Sequence, residues 1–150
     1  MSLKERLMED MKNSMKNKDT IRKNTITMVR AAIKQREVDE RIDLSDEDIL
    51  DIIAKQLKEK RVAIEEFQRG NRQDLVELTN SEIEILLEYL PEQLSDDEVE
   101  KIVLEVINEL NATSMKEIGL IMKAVMPKVK GRTDGNKVNN IVRKIFQKPE

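Results

Sequence analysis

The chain has 150 residues, 38% of them charged and 2% aromatic, and it contains no Cys, His or Trp. The missing cysteine excludes disulfides, thiolate metal sites and cysteine nucleophiles. The missing histidine removes the usual general base near neutral pH and the commonest metal ligand. A Ser-His-Asp or Cys-His catalytic set therefore cannot be built from this chain. We expect neither a metal site nor a cofactor.

The N-terminal residues MSLKERLMED are charged from the start, so no secretory signal is visible. No apolar run approaches the roughly 20 residues that a membrane span needs. The sequence therefore predicts a cytoplasmic protein that has no membrane partner.

Helical spacing of apolar residues dominates the sequence, and about four helices are predicted in residues 1–91. Ser2 and Glu5 form a capping-box pattern at the first helix, and Asp19 is placed to cap the second. The second helix is predicted to fray within the charged segment REVDERID. Its predicted inner face consists of Ile21, Met28, Val29 and Ala32.

The third predicted helix begins after Ser45, carries acids in its first turn and ends at Gly70. A fourth helix is predicted over roughly residues 72–89, with a kink at Thr79-Asn80-Ser81. Pro91 ends it, and Ser95 caps the next helix. The segment LPEQLSDDE therefore marks the predicted domain boundary.

Residues 95–150 are predicted to form a small second domain of three helices. The first follows Ser95, the second is capped by Ser114 with Glu117, and the third follows the segment MPKVKGRTDGNKVNN. The sequence thus predicts an all-α protein. It has a larger N-terminal helical domain, residues 1–91, followed by a small three-helix C-terminal domain, residues 95–150.

The segment MPKVKGRTDGNKVNN holds two of the four glycines of the chain. Gly131 stands where a helix end often needs a left-handed backbone, and Asp134 is a candidate N-cap for the last helix. Pro127 is expected to bend or weaken the end of the preceding helix. These residues predict a tight corner between two helices. A phosphate-binding loop is excluded, because three residues instead of four separate the glycines and no strand precedes them.

Charge is partitioned along the chain, with a net charge of +6 in residues 1–36, −15 in residues 37–115 and +6 in residues 116–150. On a helical wheel, Lys116, Lys123 and Lys130 share one line of the sixth helix. Lys137, Lys144 and Lys148 share one line of the seventh. Two interpretations of these C-terminal cations stay open, a solvated helix surface or a surface that binds a polyanion.

A nucleic-acid partner of this chain would have to be recognised without much base stacking, because only 2% of the residues are aromatic. That favours a folded RNA, bound through its phosphates and shape. The candidate RNA-binding residues are Lys123, Lys128, Lys130, Arg132, Lys137, Arg143 and Lys144.

Four segments carry a family resemblance that covers nearly the whole chain: RLMEDMKNSMKNKD, KQLKEKRVAIEEFQRGNRQDLVE, LLEYLPEQLSDDE and MPKVKGRTDGNKVNNIV. In these segments the chain closely resembles the stand-alone YqeY proteins of the GatB/YqeY family. The resemblance implies an all-helical protein in two parts. It also implies kinship with the C-terminal tail of the B subunit of glutamine-dependent aminoacyl-tRNA amidotransferases, a tail that contacts tRNA while catalysis lies elsewhere.

The signature of that tail matches this chain at seven positions: Pro127, Lys128, Lys130, Gly131, Asp134, Val138 and Asn139. The resemblance implies a structural role for Gly131, Asp134 and Val138. Lys128, Lys130 and Arg132 are the positions at which it implies RNA contact.

Taken together, the sequence predicts a non-catalytic protein that binds RNA, and tRNA in particular. One alternative is an interaction adaptor, which docks onto an amidotransferase or aminoacyl-tRNA synthetase through its acidic middle and exposed Met residues. Another is a carbon–nitrogen ligase with glutamine as amido-N-donor, an activity associated with the family. We expect no enzyme activity from the chain alone, because the catalytic domains of the amidotransferase are missing.

Overall fold

Side-chain caps and left-handed turns set the bounds of the helices in this protein. The computed structural model describes residues 1–147, and within them lie seven α-helices, one short 3₁₀ turn at Met115–Glu117, and no strand. The all-α prediction is confirmed. The helices are α1 (Leu3–Lys16), α2 (Thr20–Glu40), α3 (Asp46–Arg69), α4 (Gln73–Leu87), α5 (Asp96–Leu110), α6 (Ile118–Val129) and α7 (Gly135–Gln147).

Complete capping boxes begin α3 and α5. The Ser45 and Ser95 hydroxyls accept hydrogen bonds from the backbone N–H groups of Asp48 and Glu98, and those carboxylates accept from the serine N–H groups. Each box satisfies backbone donors that a helix start leaves without an intrahelical partner. These starts could therefore be recognised in the sequence.

The prediction that α2 frays in the segment REVDERID is wrong. The helix continues to Glu40, and Arg41 ends it with a left-handed backbone at φ 54. Arg36 Nε donates to Glu40 Oε2 at 2.6 Å, and Gln35 Nε2 donates to Asp39 Oδ1 at 3.0 Å. The charges that suggested fraying thus pair one turn apart and support the helix.

The predicted inner face of α2 is also partly wrong. Ile21 and Met28 are exposed, whereas the buried residues of the helix are Thr25, Ile26, Val29 and Ile33. The buried positions i, i+1, i+4 and i+8 still form one stripe, but α2 packs between α1, α3 and α4 with that stripe on a neighbouring side of the helix, shared with the prediction only at Val29. The predicted kink in α4 corresponds to no break in the helix, and the Thr79 hydroxyl donates to the Leu75 carbonyl at 2.7 Å within it.

The backbone forms two compact units, residues 1–90 and the described residues from Pro91 onward. In the first unit α1 and α2 run antiparallel, as do α3 and α4. Lys60 Nζ of α3 lies 3.5 Å from Glu82 Oε2 of α4, and both side chains are largely buried. The core of this unit contains Leu7, Ile26, Val29, Ile33, Ile49, Ile53, Leu57, Leu86 and Tyr89.

Tyr89 is the single tyrosine of the chain and is buried just after α4. Its hydroxyl donates to Asp10 Oδ2 of α1 at 2.5 Å, and the Arg6 guanidinium lies 4.5 Å from its ring centroid. Burial, followed by the hydrogen bond and charge of Asp10, raises the pKa of Tyr89 well above its ordinary value. Tyr89 therefore joins the end of the first unit to α1 only in its protonated form.

This arrangement predicts an alkaline loss of stability that depends on Tyr89. Because the folded-state pKa is raised, the contribution is fully present below the ordinary tyrosine pKa of about 10 and is lost as the pH rises above it. We expect Tyr89→Phe to lower the free energy of unfolding near neutral pH by about 1–2 kcal/mol. The same change should flatten the alkaline decline.

Urea unfolding followed by circular dichroism tests the stability difference between the two proteins across this pH range. The ultraviolet absorbance of tyrosinate reports Tyr89 alone, since the chain has one Tyr and no Trp. Tyrosinate should appear at a higher pH in the folded protein than in urea. Titration at the same pH in both states would contradict the assignment.

Candidate nucleic-acid interface

The core of the second unit fixes which faces of α6 and α7 point outward. Buried side chains from three helices meet in it, and they are mostly valines: Leu94, Val99, Val103, Val106, Ile121, Val125, Val129, Val138 and Val142. These positions recur at helical spacing, so each helix turns one face inward. The opposite faces of α6 and α7 are left to solvent, and they carry most of the cations predicted to bind RNA.

A corner of residues 130–134, here called the elbow, joins α6 to α7. Gly131 has a left-handed backbone with φ 72. Asp134 Oδ1 accepts a hydrogen bond from Asn136 N at 2.9 Å, and the Asp134 carbonyl accepts one from Val138 N at 3.2 Å. Pro127 lies inside the last turn of α6, which continues to Val129. The elbow is thus a turn with an N-cap at the start of α7.

A second segment, residues 92–94, is hydrogen-bonded to the elbow, and we call it the strap. Leu94 N donates to the Arg132 carbonyl at 2.9 Å, and Gln93 Nε2 donates to the Gly131 carbonyl at 2.8 Å. Arg132 Nε donates to the Glu92 carbonyl at 3.1 Å. The strap therefore connects two segments that lie about 40 positions apart in the sequence.

Gln93 is a residue whose role the sequence does not reveal. Its side-chain amide satisfies a carbonyl of the elbow, but no periodicity or turn signal predicts such a contact. Arg132, predicted to bind RNA, is half-buried and donates one N–H to the strap. Hydrogen bonds with Ser95 lower the pKa of Glu98, and the positive charge of Arg132 lowers it further.

Charge is segregated within the second unit. Residues 92–110, which include α5, hold seven acids and one Lys, whereas α6 and α7 contain no acidic residue. The exposed positions of α7 carry only cations and amides: Asn136, Lys137, Asn140, Arg143, Lys144 and Gln147. The outward faces of α6 and α7 are therefore positive and rich in hydrogen-bond donors.

Two ion pairs connect these basic helices to α5. Lys137 Nζ lies 2.9 Å from Asp96 Oδ1, and Lys128 Nζ lies 3.7 Å from Glu109 Oε2. All four side chains are exposed, and an ion pair of this kind contributes about 0–1 kcal/mol. A phosphate could replace either carboxylate at small cost.

The remaining predicted contacts differ in their surroundings. Lys123 and Lys144 are exposed, and among residues 1–147 neither forms an ion pair. Arg143 is exposed and its Nε donates to Asn139 Oδ1, one turn earlier, at 2.9 Å. Lys130 is the first residue of the elbow and is exposed, and Lys148 lies outside the described residues. Lys123, Arg143 and Lys144 therefore present their charge most directly.

The fold and this surface define a class of protein: an all-helical chain of two units, the second with an acidic helix and two acid-free basic ones. The sequence profile of the Yqey-like protein family, YqeY, matches residues 4–146, and the chain belongs to this family. The resemblance seen in the sequence is thereby confirmed.

Curated relatives include fungal proteins named Altered inheritance of mitochondria protein 41, mitochondrial. The chain is 35% identical to the Kluyveromyces lactis protein over 85% of this chain and 69% of the relative. It is 36% identical to the Lachancea thermotolerans protein over 72% of this chain and 59% of the relative. It is 30% identical to the Pyrenophora tritici-repentis protein over 85% of this chain and 71% of the relative.

The prediction of a cytoplasmic location is wrong on this comparison, because these relatives are named as mitochondrial proteins. The charged N-terminus argued only against a secretory signal, and that does not distinguish the cytoplasm from the interior of an organelle. None of the helices within residues 1–147 has the length and apolar content of a membrane span.

Substitution of glycine by alanine is predicted to have opposite effects on stability at Gly131 of the elbow and at Gly119 of α6. Gly131→Ala places a side chain in left-handed backbone and should cost about 1–2 kcal/mol. Gly119 lies in the first turn of α6, and no atom lies within 4 Å of the position an added Cβ would take. Gly119→Ala should therefore raise stability, by up to about 1 kcal/mol. Urea unfolding measures both, and a shift of the two variants in the same direction would contradict the role assigned to Gly131.

Proposed function

We propose that the second unit binds folded RNA, and tRNA in particular, through the outward faces of α6 and α7, without catalysing a reaction itself. One observation carries the proposal: both helices lack acidic residues. Helix α6 exposes Lys123 and Lys128 beside the uncharged Gly119, Leu120 and Pro127, and the exposed positions of α7 hold Lys, Arg, Asn and Gln. These are the side chains that most often contact the phosphates and sugars of nucleic acids. A merely solvated helix usually mixes both signs of charge.

The spacing of the cations suits a line of phosphates better than a single anion. Lys137 and Lys144 are seven residues apart on α7, which corresponds to roughly 10 Å along a helix. Lys137 becomes available, and Lys128 of α6 adds a further cation, once an RNA phosphate replaces their exposed partners Asp96 and Glu109. The affinity of such a surface arises mainly from counterion release and falls steeply with salt.

A folded RNA is favoured over a single strand by the position of the aromatic residues. Phe146 is the one aromatic residue of the second unit, and it is half-buried against the core. The surface therefore has no aromatic platform on which unpaired bases could stack, and its donors suit a structured backbone. The choice of tRNA rests on the resemblance to the amidotransferase tail.

Titration of the full chain with labelled tRNA at several salt concentrations tests this proposal. We expect the triple variant Lys123→Gln, Arg143→Gln, Lys144→Gln to bind about tenfold or more weakly at low salt. Because each phosphate contact contributes about 0.7–0.9 to the slope of log K against log salt, the slope should fall by about 2–3. An unlabelled single-stranded homopolymer should compete less well than tRNA.

The triple variant Lys55→Gln, Arg61→Gln, Arg69→Gln is the matched control. It removes the same charge from exposed positions of α3 in the first unit, and its affinity should stay within about twofold of the wild type. Circular dichroism checks that all variants remain helical. Absence of tRNA binding at low salt, or equal losses in both triple variants, would refute the proposal.

A further inference from the structure

A groove runs between α1 and α2 in the first unit. It has a volume of 510 Å³ and is lined by both helices, with Lys4 on one side and Thr27, Arg30 and Ala31 on the other. A second depression of 320 Å³ follows along α2 and shares Lys34 and Glu37 with the first. The two together form one elongated groove.

Apolar side chains lie along this groove although they are exposed. Val38 is 65% exposed and Ile42 47%. Ala31 and Val38 are seven residues apart on α2, so they lie on one line of the helix, and Ile42 follows just beyond its end. Met11 lies beside the groove, where its sulfur contacts Thr27 Oγ1 at 3.8 Å and Arg30 Nη1 at 3.1 Å.

The rim of the groove carries an excess of positive charge. Lys4 Nζ donates to Glu37 Oε2 at 2.5 Å, and Leu44 N donates to the same oxygen at 2.9 Å. Lys4 first, and then Leu44 N–H, lower the pKa of Glu37, so this carboxylate is ionised and already engaged within the unit. Arg30, Lys34 and Arg41 contribute three further cations along the groove, and Asp43 is its second acid, so four cations face two carboxylates.

We propose that this groove docks an acidic amphipathic helix of a partner protein. Exposed apolar residues with helical spacing fit the apolar face of such a helix, and the cations of the rim fit carboxylates on its flanks. From Thr27 to Val38 the groove extends over roughly 16 Å, which corresponds to about three helical turns. Charge complementarity thus identifies the chemistry of the partner.

The chemistry of the groove differs from that of the RNA surface. Phosphates gain nothing from the exposed apolar side chains of Ala31, Val38 and Ile42, whereas the apolar face of a helix can cover them. A lipid bilayer usually takes the projecting apolar face of a helix, whereas Ala31 lines a recess between α1 and α2, which a helix fills better than a flat surface does. A helix with acids beside an apolar stripe satisfies both the shape and the charge of the groove.

The test uses the full ¹⁵N-labelled chain and a synthetic helical peptide of about 14 residues, with Leu at i, i+3 and i+4 spacing and Glu on both flanks. A peptide of identical composition with scattered Leu is the control ligand. Amide shifts should change along α1 and the second half of α2 with the amphipathic peptide. The scattered peptide should bind at least tenfold more weakly.

Two pairs of variants distinguish binding of the peptide in the groove from non-specific attraction to the protein surface. Lys34→Glu should weaken binding at least fivefold, whereas Lys23→Glu, an equally exposed lysine of α2 outside the groove, should change it less than twofold. Val38→Asp should weaken it at least tenfold, whereas Val62→Asp on α3 should not. These variants change exposed residues, and their tRNA affinity should stay unchanged.

Three results would overturn the proposal. The first is equal affinity for the two peptides, and the second is equal loss in the groove variants and their controls. The third is shift changes along α1 and α2 with anionic lipid vesicles but none with the amphipathic peptide, which would make the occupant a lipid surface. Because tRNA binding is measured separately, each result is distinguishable from failure of the RNA proposal.

Discussion

The hydrogen bonds between the strap and the elbow are the constraint on which the second unit depends. Gln93 and Leu94 donate to the carbonyls of Gly131 and Arg132, and the strap leads directly into the Ser95 cap of α5. Together with the bond from Arg132 Nε to the Glu92 carbonyl, these contacts join the segment before α5 to the turn between α6 and α7. The acidic α5 is thereby connected to the two basic helices of the same unit.

The cations of the two units lie on surfaces of different composition. In the second unit it stands among amides on helices that lack acids, a composition suited to phosphate. In the groove of the first unit it borders exposed apolar residues and an engaged carboxylate, Glu37, a composition suited to an acidic protein segment. Net charge alone would have assigned the same partner to both, and the neighbouring side chains distinguish them.

Much of the fold could be predicted from the sequence because local signals specify it. Capping boxes at Ser45 and Ser95 and the apolar spacing of α5 depend on residues close in the chain. The prediction for the end of α2 is wrong because one run of charged residues is compatible with two outcomes. It can be a fraying helix end, or a helix stabilised by ion pairs one turn apart, as it is here. The partners of Gln93, Lys128 and Lys137 lie far away in sequence, so the strap and the ion pairs of the basic surface required coordinates.

The valine-rich core of the second unit has a consequence for recognition. Seven of its nine buried residues are valines, whose branched Cβ leaves essentially one rotamer in a helix. Each valine thus has a single χ1 state in the folded unit, and few alternative packings exist through which the backbone could shift. Helices α6 and α7 are held at a nearly fixed spacing. Helices at a fixed spacing hold their cations at fixed separations, so a partner has to present anionic groups at matching distances. Only the flexible ends of the lysine side chains can adjust.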